Sequence, residues 1–126
     1  MGEPGEWVNE VRLVGRVSAA ATERVLPSGD VVASLRLVVP RVVATRSSKG
    51  SGGGGRTRAD TLDVSCWTAR TRQRVRRLQP GDVVEVVGSL HRRFYRAGSV
   101  ALSRHEVEAS SISRVSGART TRAEGA

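Results

Sequence analysis

The chain has 126 residues, enough for one modest domain and too few for a separate catalytic domain beside it. Its Lys+Arg 21 against Asp+Glu 12 gives a formal net charge of +9, carried by arginine with Lys49 as the one lysine, which favours polyanionic partners and specifies no fold. Cys66 is the only cysteine, which excludes an internal disulfide and a cysteine-based zinc site and points to a reducing compartment.

The opening MGEPGEW lacks a basic start followed by an apolar stretch, and no apolar run reaches membrane-spanning length. The expectation is a soluble cytoplasmic, nucleoid-associated protein with no membrane partner. Residues 1–7 read as an N-terminal extension. Residues 8–17, VNEVRLVGRV, then alternate: Val11, Leu13, Gly15 and Val17 share one face, while Glu10, Arg12 and Arg16 take the other. Period two predicts a half-buried strand. After the turn residues Pro27, Ser28 and Gly29, a second strand points Val31, Ala33, Leu35, Leu37 and Val39 inward and Ser34 and Arg36 outward, extending toward Val43.

Residues 46–58, RSSKGSGGGGRTR, contain neither an apolar nor an acidic residue. They predict a flexible basic loop, either a surface insertion or a phosphate-touching segment. TLDVSCW predicts a third strand in which Leu62, Val64 and Cys66 alternate with Thr61, Asp63, Ser65 and Trp67. Trp67 therefore shares a face with polar residues, where it could cap a barrel end, enter a subunit interface or stack on a ligand. Residues 68–82 are helix-like, with Val75 and Leu78 on one side and Pro80-Gly81 as the stop; Arg70, Arg72, Arg74, Arg76 and Arg77 spread around the axis.

DVVEVVGSL is nearly continuously apolar, which predicts a central fourth strand with Val84, Val86, Gly88 and Leu90 in one row. HRRFYR becomes the far end of a hairpin that turns at Ala97-Gly98 and returns as a fifth strand over residues 99–109. From Ser116 onward the small polar tail, residues 116–126, is expected to be disordered. One domain thus spans residues 8–115. Five strands with a helix between the third and fourth is the order of the OB-fold, a partly open all-β barrel; an all-β sandwich fits the strand pattern alone, and the helix decides between them.

Titratable groups do not converge, so an enzyme is not expected. His91 and His105 have no second ligand at metal spacing. Glu106 and Glu108 share a face and read as balancing nearby arginine charge. GSGGGG lacks the Lys-Ser/Thr of a phosphate-binding loop. No catalytic residue, metal or cofactor is therefore assigned. Binding chemistry is better supplied: unpaired bases stack on aromatic rings for roughly 1–3 kcal/mol each, whatever their sequence. HRRFYR offers two aromatics among arginines, and in a regular strand Phe94 and Tyr95 point to opposite faces. One is expected on the binding surface and the other beneath it, and the hydroxyl of Tyr95 suits the wet position. A hydrophobic plug closing the hairpin is the alternative. The candidate nucleic-acid contacts are Trp67, Phe94 and Tyr95 with Arg92, Arg93 and Arg96, joined by Arg36, Arg41, Arg46 and Arg70.

VNEVRLVGRV, VLPSGDVVASLRLVV, DVSCW, LQPGDVVEVVGSL and the basic aromatic hairpin together resemble the bacterial single-stranded DNA-binding protein family across residues 8–115. The resemblance implies an OB-fold that assembles as a homotetramer, or as a dimer, and wraps single-stranded DNA without sequence preference in replication, recombination and repair. It puts Trp67 at the family's aromatic stacking position at the end of strand three, Tyr95 where a tryptophan is common, and Arg93 at a basic position two residues earlier. Asn9, Gly15, Pro27, Gly29, Gly81 and Gly88 match its structural positions. Val43 and Thr61 stand where family members often carry tryptophans, so two stacking platforms are missing and arginine-phosphate contacts are expected to compensate. The family's acidic C-terminal tip is not matched by TTRAEGA, so recruitment of repair proteins through such a tip is not expected. Two competing readings remain: an OB-fold RNA-binding or replication-restart accessory protein, and an oligomeric interaction module that binds no nucleic acid.

Overall fold

A computed structural model describes residues 5–41 and 58–115. Strands β1 (Val11–Val25), β2 (Val31–Pro40) and β3 (Ala59–Cys66) precede helix α1 (Ala69–Arg76), and β4 (Val83–Ala97) and β5 (Val100–Arg114) form the hairpin. The strands close into a barrel in the order β1-β2-β3-β5-β4. This is the five-stranded OB-fold arrangement expected from the sequence, with the helix between β3 and β4.

Closure depends on β1. Residues Val11 to Arg16 pair antiparallel with β4, and Arg16 to Val25 pair antiparallel with β2 with two register shifts between Val17 and Thr22. A strand that changes partner must bend, and bulges supply the bend. The inward residues Val17, Ala33, Leu35, Leu37, Val64, Cys66, Val84 and Val86 fill the barrel, with Val107, Ala109 and Ile112 from β5. Each Val or Leu buried in this way contributes about 1.5–3 kcal/mol relative to leaving it exposed. Val75 and Leu78 bring the helical segment onto this core. Burial pushes the Cys66 thiol up to about 11 despite its hydrogen bond with Thr71, so the thiol stays protonated at neutral pH.

Thr68 caps α1 by accepting a hydrogen bond from the Thr71 amide, and the helix ends at Arg76 with Arg77 as its C-cap. The stop therefore precedes Pro80-Gly81, whose segment instead pairs with β1 through the Gly81 amide on the Val17 carbonyl. Asn9 makes a similar bridge with its side chain. Its amide donates to the Leu90 carbonyl and its carbonyl accepts from the Leu90 amide, both at 2.8 Å, which ties the chain before β1 to the root of the hairpin.

Several expectations need correction. β1 runs to Val25 instead of ending near Val17, and β5 continues to Arg114 instead of stopping near residue 109. The hairpin turns at Gly98-Ser99, one residue later than expected, because Gly98 takes a positive φ of 71° as the first loop residue. Leu90 leaves the core row and is 48% exposed, since β4 has by then passed the barrel wall. Gly88 sits at that crossing beside a register shift, where a Cβ would lie 2.0 Å from the Glu108 carbonyl oxygen. Only a residue without a side chain permits this approach. Val43, most of the basic loop and the tail lie outside the described residues.

Candidate nucleic-acid interface

The hairpin register sorts its side chains onto two faces. Because Ala97 pairs with Val100, Tyr95 pairs with Leu102, Arg93 with Arg104, His91 with Glu106 and Ser89 with Glu108. Side chains alternate along a strand, so this set forms one face, and Arg92, Phe94 and Arg96 with Ala101, Ser103 and His105 form the other. The parallel pairing of Val64 with Val107 and Ser65 with Glu108 continues the first face onto β3. Asp63 and Trp67 therefore lie on the Tyr95 side, next to Arg36 on β2, which pairs with Asp63.

On this first face every arginine with a described contact leans on an aromatic ring or a carboxylate. The Arg93 guanidinium lies over the Trp67 ring at 4.9 Å and over no other ring, while its Nε donates to Glu106 at 2.7 Å and its Nη2 pairs with Glu108 at 3.5 Å. Arg104 lies over Tyr95 at 5.5 Å and reaches Asp63 at 3.8 Å. Arg36 pairs with the same Asp63 at 3.4 Å. Away from this face, beyond the end of β2, Arg41 grips Asp60 through two nitrogens at 3.2 and 3.0 Å. The hydrogen bonds from Arg41 hold the Asp60 carboxyl below its ordinary range. A shallow groove lined by Ser34, Arg36, Asp63, Arg104 and Glu106, with the bulged middle of β1 as its far wall, runs along this face.

Trp67 is placed by its neighbours. It falls between the last residue of β3 and the N-cap of α1, and Arg72 donates to its backbone carbonyl. The indole is half-buried, and its N–H is buried with no partner among the described residues. One ring face is therefore covered by Arg93. Guanidinium-ring contacts of this kind contribute about 0.5–1 kcal/mol at exposed sites.

The second face differs. Phe94 is 70% exposed, more than the 43% of Tyr95, and Arg92 lies over its ring at 4.9 Å while donating to Ser103 at 3.4 Å. The expectation that one of the two aromatics packs beneath the other is therefore overturned: the ribbon has left the barrel by this point, and both rings face outward. Neither strand places a carboxylate on this side between Leu90 and Val107.

Of the residues singled out from the sequence, the structure brings together Trp67, Tyr95, Arg93 and Arg36, and puts Phe94, Arg92 and Arg96 on the opposite side of the same ribbon. Arg41 stands at the far end of β2. Arg70 belongs to a separate basic cluster on α1 with Gln73, Arg74 and Arg77. Arg46 lies outside the described residues. Arg104 was missed, and so was the clamping role of Asp63. The turn position would have revealed Arg104, since one shifted residue changes every pairing along the hairpin. The charge-balancing reading of Glu106 and Glu108 is borne out by their contacts with Arg93.

A closed five-stranded barrel with an aromatic and arginine-rich hairpin defines an OB-fold protein with a nucleic-acid-binding type of surface. The sequence pattern of the Single-strand binding protein family matches residues 8–115, and the chain belongs to that family. A solved structure, a Plasmodium falciparum SSB complex with ssDNA, superposes with a TM-score of 0.71 at 21% sequence identity, covering 91% of this chain and 99% of that chain. At that identity the likeness shows the shared fold. No curated protein sequence matches the chain.

Proposed function

We propose that the protein binds single-stranded DNA without sequence preference and shields it during replication, recombination and repair, assembling as a homotetramer to do so. The observation that carries this reading is the first face of the hairpin, where Trp67 and Tyr95 are each layered with an arginine. Ring faces accept any base, and the arginines layered on them are within reach of the phosphates, so the surface grips a strand without reading its sequence. A duplex hides its base faces and can use the arginines alone. Family membership and the shared barrel support the same reading.

Intrinsic tryptophan fluorescence during titration with oligo-dT, compared with a duplex of equal length at two salt concentrations, tests it. Strong quenching by the single strand and little by the duplex is expected. Weak, unquenched binding of both at low salt would leave only a basic domain and overturn the proposal.

A further inference from the structure

We infer that Glu106 and Glu108 act as internal stand-ins for a phosphate, holding Arg93 closed over Trp67 until a strand displaces them; the inference rests on the single-strand reading proposed above. Three observations converge. Arg93 is the one cation over the Trp67 ring among the described residues, its Nε bond to Glu106 is 2.7 Å long, and the Glu106 side chain is only 14% exposed. A carboxylate so shielded holds a guanidinium more firmly than a fully wet one does. Glu108 contacts Arg93 at 3.5 Å and His91 at 3.6 Å, completing an anionic seat along the β5 side of the platform.

The seat has a direct consequence for binding. A base that stacks on the covered side of Trp67 needs Arg93 to swing outward, and the departing guanidinium exchanges two carboxylates for one phosphate. The phosphate releases condensed cations, whereas the freed carboxylates gather some back. The net ion release per contact is therefore smaller than for an arginine with no acidic partner. Glu106 and Glu108 are in this sense positioning residues: they act through Arg93 and set the affinity and salt response of the platform.

The test uses the full chain with Trp7→Phe, which leaves Trp67 as the sole tryptophan reporter because Trp7 is 89% exposed and the chain has two tryptophans. In Glu106→Gln, Glu108→Gln and the double variant, acrylamide quenching of Trp67 in the free protein should rise. Oligo-dT binding at low salt should tighten roughly fivefold. The slope of log affinity against log salt should steepen by up to about 0.7. The isosteric glutamines preserve side-chain volume, and melting curves identify any variant that fails to fold; the more exposed Glu108→Gln alone then carries the test.

A double-mutant cycle with Arg93→Gln separates this device from simple charge repulsion. The gain from Glu106→Gln should largely vanish in that background. An equal gain there, or unchanged quenching and affinity in the glutamine variants while the parent binds, would overturn the inference. If the parent itself ignores oligo-dT, the single-strand reading fails instead, and the quenching of the free protein still reports whether Arg93 covers Trp67.

Discussion

The two faces of the β4-β5 hairpin carry similar ingredients and differ in their balance. On the Tyr95 face, Arg93 and Arg104 are met by Glu106, Glu108 and Asp63, and two rings are held in defined layers. On the Phe94 face, Arg92 and Arg96 have no carboxylate between them, and Phe94 stands more exposed than Tyr95. The comparison teaches that a basic composition measures potential, not availability. Arginines already neutralised at home offer order and position, while unneutralised ones offer long-range attraction. Under the proposed function, the Tyr95 face is the ordered grip and the Phe94 face the loose one.

The largest effect is expected where both faces lose their common root. Gly88→Ala forces a Cβ against the Glu108 carbonyl at the point where β4 leaves the barrel, so it should lower stability by about 2 kcal/mol or more, visible as a drop in melting temperature. Next, Tyr95→Ala should weaken oligo-dT binding by about five- to 150-fold, the equivalent of one stacked base at ~1–3 kcal/mol, with an unchanged melting curve. Phe94→Ala should weaken it less, by about fivefold or below, because the second face presents a single ring; an equal or larger loss would reverse the ranking of the faces.

The smallest effect sharpens the comparison most. Arg92→Gln and Arg96→Gln should each flatten the salt dependence of binding by about 0.7, the full share of one single-strand phosphate. Arg36→Gln, whose guanidinium already serves Asp63, should flatten it by less. Equal slopes for all three, measured by titration at several salt concentrations, would show that home pairing makes no difference.

Much of this architecture is written in the alternation of the strands. Val11, Leu13 and Val17, then Ala33, Leu35 and Leu37, then Val64 with Cys66, turn inward as their spacing predicts, and Pro80-Gly81 marks the approach to β4. The second half of β1 is not legible, because SAAATER has no apolar alternation and becomes a strand through the pairing β2 offers it across two register shifts. The site was half legible. Residue types singled out Trp67, Tyr95 and Arg93 as candidate contacts for a polyanion, and strand geometry put Phe94 opposite Tyr95. What could not be read is who sits across from whom: the Arg104 layer on Tyr95 and the carboxylates on Arg93 follow from register, which a turn one residue later decides.

The barrel closes through one slender seam. β4 and β5 match along fourteen registered pairs, whereas β3 and β5 meet in parallel at Val64 with Val107 and Ser65 with Glu108 alone. In hydrogen-exchange terms this is where the cylinder should breathe first, since opening it severs few ladder bonds while the long hairpin stays zipped. Trp67 and Asp63 lie on one bank of the seam, and Glu106, Glu108 and Arg104 on the other. A ligand laid across those residues spans both banks like a suture, so its arrival should register as slowed amide exchange along β3, beyond the few residues it contacts.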